Sequence, residues 1–411
     1  MPTISEKAGG GNIDFESADL PCPACHSKGM SIFFQQKAIP SNSCILLPSR
    51  EEAIGYPNGD LSLGFCPECG FISNTAFNPE LTEYSSRYEE TQGFSSTFSS
   101  FQYKLAEKLV SKYDLHGKDI LEIGCGKGEF LTLLCEIGDN RGVGFDPAYI
   151  SERKKSGGDA EITFIEDFYA EKYSNYSADF IACKMTLEHI HKPFDFVSMI
   201  RRSIGDRPDT VVFFQVPDVT RIVRDCAFED IYYEHCSYFS PGSLSRLLGR
   251  CGFDLLNLET TYNGQYLIIE ARPGVEETEG SRQEDDLERI TLCVREFPAR
   301  LEKKLSFWNA AMKNFNTRDK RVVIWGSGSK GVSFLTALEI TEEIEYAVDI
   351  NPHRTGFFMP GNGQKIVAID FLKGYEPDIV IIMNPIYRQE IQDDLDNLNI
   401  RAELLTVDSA H

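Results

Sequence analysis

The sequence predicts an α/β chain built from two strand–turn–helix units of the doubly wound type, with a small cysteine-bearing segment ahead of them. Three observations predict it. Apolar strand-like runs alternate with stretches of helical periodicity through the middle of the chain and again near its end, the pattern of parallel sheets covered on both faces. Each of these two regions opens with a strand that runs into a glycine-rich turn. Two C-x-x-C pairs stand before both.

Length and charge set the frame. The 411 residues carry 63 Asp+Glu against 41 Lys+Arg, a formal net charge of -22. That length corresponds to two to four domains at about 100–200 residues each. The acidity argues against nucleic acid as a partner, because phosphate backbones are held by basic surface. No run of about 18 apolar residues supports a membrane span. Met1 to Phe15 has no apolar h-region, so it does not read as a secretory signal, and a cytoplasmic enzyme is expected.

The first element is the cysteine segment. Cys22-Pro-Ala-Cys25 and Cys66-Pro-Glu-Cys69 lie about 40 residues apart, and four thiolates at such spacing can close a tetrahedron around structural Zn²⁺. His26 completes a C-x-x-C-H match to haem attachment, but that leaves the second pair unexplained, and a redox dithiol needs only one pair. The other eight cysteines stand singly and read as small buried hydrophobes.

The second element begins with helical spacing at Phe98, Phe101, Leu105, Leu109 and Val110. Strand Asp119-Ile-Leu-Glu-Ile123 runs into Gly124-Cys-Gly126-Lys-Gly128 and a helix over Glu129 to Ile137. Strand Gly142 to Asp146, a further helix, and strand Ile162 to Asp167 follow. Further strands read at Phe180–Cys183, Val211–Gln215 and Tyr266–Glu270. Free backbone amides at a strand–glycine–helix junction favour an anionic or electron-rich ligand group.

Pro273 to Arg289 is crowded with acidic residues and reads as a solvated linker. A helix over Leu287 to Phe315 leads to strand Arg321–Trp325 and the turn Gly326-Ser-Gly-Ser-Lys-Gly331. Asp349 lies 18 residues beyond Gly331, close to the spacing of a dinucleotide ribose acid. Alone, this turn suggests NAD; a tight turn without ligand is the plain alternative. Strands Ile344–Asp349 and Asp378–Met383 complete the unit. The division is therefore 1–80 for the zinc-binding domain, 81–275 for the middle α/β domain, 276–318 for the acidic linker and helix, and 319–411 for the C-terminal Rossmann-like α/β domain.

The segment Tyr232-Tyr-Glu-His-Cys-Ser-Tyr-Phe-Ser240 gathers three tyrosines, a carboxylate and a histidine. Ligands in open α/β sheets sit at the carboxyl ends of strands, so this loop is placed to overhang a site there. A histidine titrating near 6.5 suits proton transfer. Aromatic packing with a solvated Glu–His pair is the alternative. His189, in Met185-Thr-Leu-Glu-His-Ile190, is a rival base; His26, His116, His191, His353 and His411 read as surface residues.

The first glycine turn, with Asp146 ending the next strand and Asp167-Phe168 beyond, resembles the S-adenosylmethionine (SAM) site of class I methyltransferases. That resemblance implies a class I SAM-methyltransferase Rossmann-like core. Glu122, Gly124, Gly126 and Gly128 would lie along the cofactor, Asp146 would accept from its ribose, and Asp167 and Phe168 would meet its adenine. The whole order, from the C-x-x-C pairs to Val348-Asp-Ile-Asn-Pro352, Met359-Pro-Gly361 and Met383-Asn-Pro385, resembles the three-domain sugar C-methyltransferases over nearly the full chain. The resemblance implies that His235 is the base, Glu234 its neighbour in substrate binding, and Tyr232 and Tyr88 the tyrosines facing the sugar. It implies SAM and structural Zn²⁺ as cofactors and a nucleotide diphosphate keto-deoxysugar as substrate. A monomer is expected, and against the acidic field of the molecule the diphosphate has to be met locally, by the second turn's amides and Lys330. An O- or N-methyltransferase on another small metabolite and a non-catalytic scaffold are the competing readings.

Overall fold

The computed structural model describes residues 16–18, 20–153, 161–274 and 286–409. The expectations for Met1 to Phe15, for His411 and for most of the acidic stretch fall outside these residues.

Three sheets organise the described chain. The first is antiparallel, ordered Glu16–Ala18, Met30–Pro40, Asn58–Phe65, Ile72–Asn74, Ser237–Tyr238. Its last strand comes from the Tyr–Glu–His segment, 163 residues beyond Asn74 in the chain, so that segment is fixed by pairing with the cysteine-bearing unit. None of these strands is expected from the local pattern, and the sheet is held by long-range pairing.

The second sheet has seven strands in the order Phe253–Thr261, Tyr266–Pro273, Val211–Pro217, Phe180–Lys184, Asp119–Ile123, Arg141–Phe145, Ile162–Ile165. The last five run parallel, Tyr266–Pro273 runs antiparallel to both of its neighbours, and Phe253–Thr261 at the edge shares the direction of the five. Helix Ser96–Tyr113, with Leu105, Ala106 and Leu109 buried, packs with helix Glu129–Gly138 on one face. The helix expected between Asp146 and Ile162 is a correction: the described part is a 3-10 turn, Ser151–Arg153, and 154–160 lie outside.

The third sheet is fully parallel, ordered Lys365–Val367, Tyr346–Val348, Val322–Trp325, Ile379–Ile382, Glu403–Thr406. Its near-continuous Val and Ile content follows from burial on both faces.

The long helix Leu287–Thr317 joins the units by packing rather than by spanning solvent. Phe297 meets Phe33 and Phe34 edge-on at 5.9 and 5.7 Å. One buried Trp308 edge lies against Phe334 at 5.1 Å, and its indole N–H donates to the Val407 carbonyl at 3.2 Å. A second correction concerns the acidic run at its start. Asp286 is buried, accepts from the Gly242 amide at 2.8 Å and pairs with Arg246 at 2.8 Å, so the solvated reading fails where a cation 40 residues upstream comes back to meet the run.

Candidate functional site

The first glycine turn has the shape its sequence implies. Asp119–Ile123 ends, the chain turns through three glycines at positive φ, and helix Glu129–Gly138 begins with Gly128 as its cap. At Gly126, φ is +54° and a Cβ would stand 2.6 Å from Glu90 Oε1; at Gly124 it would stand 2.0 Å from Thr186 Oγ1. Backbone, not side chain, therefore lines the floor here, a cradle of the kind a cofactor fills. Gly126→Val should weaken SAM binding at least tenfold in calorimetry while the protein stays folded; unchanged affinity would remove this turn from the cofactor site.

Around the turn stand the other expected residues. Glu122 is buried with Oε2 unpartnered, and burial pushes its carboxyl up to about 8. Asp146 accepts from the Gly126 amide at 2.8 Å and the Ala148 amide at 2.7 Å. Asp167 accepts from the Phe168 amide and from Tyr173 Oη at 2.7 Å, and Lys172 beside it holds its carboxyl below the usual range. Phe168 is 57% exposed, with its ring in the cavity wall. Lys127 reaches the carbonyls of Tyr88 and Ala148 at 2.8 and 2.7 Å, which pins the segment carrying Tyr84 and Tyr88 over the turn.

The Tyr–Glu–His segment sits opposite. Tyr232 Oη lies 2.9 Å from His235 Nε2, with ring centroids 4.0 Å apart. His235 Nδ1 is buried with no partner. The His189 ring stands perpendicular to His235 at 4.8 Å, and its Nδ1 is 2.9 Å from Tyr84 Oη. Burial holds His235 well below its ordinary value of 6.5 and His189 down to about 4, because a charged imidazole loses its hydration there. Glu188 between these turns is buried with neither carboxyl oxygen partnered, and burial pushes it up to about 8.

Glu234 is a hub. It accepts from the Asn42 side chain at 3.0 Å, the Ser43 amide at 3.1 Å, the Ser43 hydroxyl, and Tyr88 Oη at 3.3 Å. Ser43 Oγ is in turn 2.7 Å from Ser329 Oγ on the second glycine turn. Glu234 thus ties all three units together. Tyr233 points away, its hydroxyl accepting from the Asn78 amide at 2.8 Å.

The second turn faces the same space. Asp349 accepts from the Ser327 amide and hydroxyl at 3.1 and 2.5 Å and from the Asn351 amide at 2.9 Å, so this carboxylate closes its own turn. Lys330, expected to meet a diphosphate, is paired with Asp230. Both turns, the two histidines and Tyr84, Tyr88 and Tyr232 line one cavity of about 610 Å³. Tyr84, Glu188 and Arg221, which line this cavity, are unmarked in the sequence, where only the four-residue spacing of Tyr84 and Tyr88 offers a signal.

Away from the cavity, the four sulfurs of Cys22, Cys25, Cys66 and Cys69 lie within 4.8 Å of one another, with Cys22–Cys69 at 3.7 Å and Cys25–Cys66 at 3.6 Å. Zinc–sulfur bonds of about 2.3 Å in a tetrahedron place sulfurs about 3.8 Å apart, so these residues fit the ion.

Residues 99–258 match the methyltransferase domain family, and residues 270–403 match the C-methyltransferase C-terminal domain family. The chain is 23% identical over 374 residues to the C-methyltransferase NovU of Streptomyces niveus, covering 85% of this chain and 86% of that protein. It is 27% identical over 140 residues to a tRNA U34 carboxymethyltransferase of Campylobacter hominis, covering 31% of this chain and 47% of that one. Among solved structures, the 1,6-didemethyltoxoflavin-N1-methyltransferase of Burkholderia thailandensis matches with a TM-score of 0.34 and 16% identity, covering 42% of this chain and 78% of that one. The protein is a SAM-dependent methyltransferase with a class I α/β core. Within that class, residues 270–403 carry the likeness to the C-methyltransferase C-terminal domain, and the likeness to NovU runs over most of the chain. No helix among the described residues is long and apolar enough to cross a membrane.

Proposed function

We propose that the enzyme methylates a carbon next to the keto group of a nucleotide-linked deoxysugar through an enolate, with His235 as the base. One observation carries this reading: a buried neutral histidine, hydrogen-bonded to a tyrosine, faces a cavity into which both glycine turns open. NovU, a relative matching most of the chain, is named a C-methyltransferase, and the second turn lines the same cavity as the first.

SAM, when bound, supplies an electrophilic methyl group. The three glycines, Glu122, Asp146 and Phe168 would hold it, and Asp167 would stand at the rim. With the ring proton assigned to Nε2 and accepted by Tyr232, the free Nδ1 lone pair of His235 takes the proton from the carbon. The Tyr232 hydroxyl proton is then available to the developing oxygen anion. Tyr88 and Glu234 keep the loop in place, and His189 braces His235 from the side. Because burial depresses His235, the base form persists as pH falls through the ordinary histidine range. The value of kcat/KM at saturating SAM should therefore stay level down to pH 6 and fall only below it; a break at or above 6.5 would contradict a buried base. The four-cysteine cluster would hold Zn²⁺ as a closed structural site, since no coordination position is left open.

A further inference from the structure

A group of charges in the cavity wall is out of balance. Asp230, on the segment that leads into Tyr232 and His235, is met by two cations, Arg221 from helix Val219–Asp225 and Lys330 from the first turn of helix Ser329–Ala337. All three line the cavity, with side chains only 14–19% exposed. The neighbouring Glu229 acts on Lys330 through space but makes its direct ion pair elsewhere. It is buried, its carboxyl is pushed up by burial, and its own cation is Lys304 at 3.7 Å, whose ammonium also donates to the Cys226 carbonyl at 3.0 Å. Counted by direct ion pairs, two cations share one carboxylate and the second cation has no carboxylate of its own, while burial lowers the Lys330 ammonium. The Arg221 Nε–H is buried and has no partner.

A purely structural ion pair would be balanced, because an uncompensated charge taken out of water costs several kcal/mol. An excess cation with an unused donor at a cavity wall is instead what an anionic ligand atom completes.

We propose that Arg221 and Lys330, held together by Asp230, form a site for a negatively charged oxygen of the substrate. Resting on the reading above, that oxygen is either the enolate oxygen of the reacting sugar or a phosphate oxygen of its nucleotide. Both offer the same chemistry to a guanidinium and an ammonium.

The test uses the full chain and the variants Arg221→Gln, Lys330→Gln and Asp230→Asn. Binding of inorganic pyrophosphate and of TDP is measured by calorimetry, and deuterium exchange into a saturating nucleotide-linked keto-deoxysugar is followed by mass spectrometry. If a phosphate occupies the site, Arg221→Gln and Lys330→Gln weaken pyrophosphate and TDP at least tenfold and leave the saturated exchange rate within twofold. If the enolate occupies it, TDP binding stays within twofold and saturated exchange falls about 10²–10³-fold. Asp230→Asn removes the shared counter-charge and should tighten pyrophosphate binding, a gain that a damaged fold does not give. Should Arg221→Gln fail to fold, Arg221→Lys keeps the charge, loses the Nε–H, and carries the same comparison. Folded variants with both readouts within twofold of the parent overturn the site. Absence of exchange in the parent enzyme overturns the keto-sugar reading alone, because pyrophosphate binding reports on the site without it.

Discussion

Replacing His235 by Asn should lower turnover by about 10²–10⁴-fold, the contribution typical of a positioned general base, while leaving SAM affinity within twofold. The expectation follows from where the residue sits. His235 belongs to the loop opposite the glycine turn, and its contacts are to Tyr232 and His189, not to the turn itself. Losing the imidazole therefore removes the proton acceptor without disturbing the cofactor's backbone cradle. His189→Gln is the internal comparison. Its Nδ1 is engaged by Tyr84, the proposed mechanism gives it only a bracing role, and a loss of about tenfold is expected. Rates and SAM calorimetry on the two variants decide the matter; a larger loss at His189 than at His235 would exchange their roles.

The double change Cys66→Ser with Cys69→Ser should abolish both zinc and fold. Structural zinc sites contribute apparent binding energies of about 10–16 kcal/mol, comparable with or larger than the 5–15 kcal/mol net stability of a typical domain. The effect should reach the active site. Cys66 and Cys69 flank the turn before Ile72–Asn74, and that strand pairs with Ser237–Tyr238, two residues beyond His235. Elemental analysis of the parent protein should give one zinc per chain, and the variant should show a melting temperature lower by tens of degrees or fail to stay in solution. A zinc-free variant that melts normally and turns over substrate would rule out the structural ion.

What could be read from the sequence was local. The strand–glycine–helix junctions at Gly124–Gly128 and Gly326–Gly331 declare themselves because the backbone demands glycine at adjacent positions. The C-x-x-C pairs and the Tyr–Glu–His segment are equally compact in the chain. What escaped notice is carried by distance. Strand Met30–Pro40 and its partners show no clean alternation because they pack against the long helix on one side and turn at bulges on the way. Asp286 looked solvated because its cation, Arg246, lies 40 residues away. The carboxylate of Glu234 reads as a substrate-binding neighbour of His235, yet four donors from residues 42, 43 and 88 converge on it, and no spacing rule could bring them there. Lys330 reads as free for a phosphate until Asp230, 100 residues earlier, is folded beside it.

The same distances explain why the three sheets work as one. The Ser43 hydroxyl joins Glu234 to Ser329, the Gln265 and Asn384 amides pair reciprocally at 3.0 and 3.1 Å, and Tyr262 donates to Tyr387 at 2.8 Å. These links are polar and surround the cavity. The histidine pair, the cofactor turn and the second glycine turn are thereby held around one substrate volume.

The central claim is that a C–H bond next to a keto group is broken before the methyl is transferred. It is tested most directly by incubating the enzyme in D₂O with a nucleotide-linked keto-deoxysugar and no SAM, then measuring isotope content by mass spectrometry. One deuterium should be incorporated at the carbon beside the keto group, dependent on His235, and that position should be lost to methyl once SAM is added. A methylated product that retains every carbon-bound hydrogen of the sugar would contradict it.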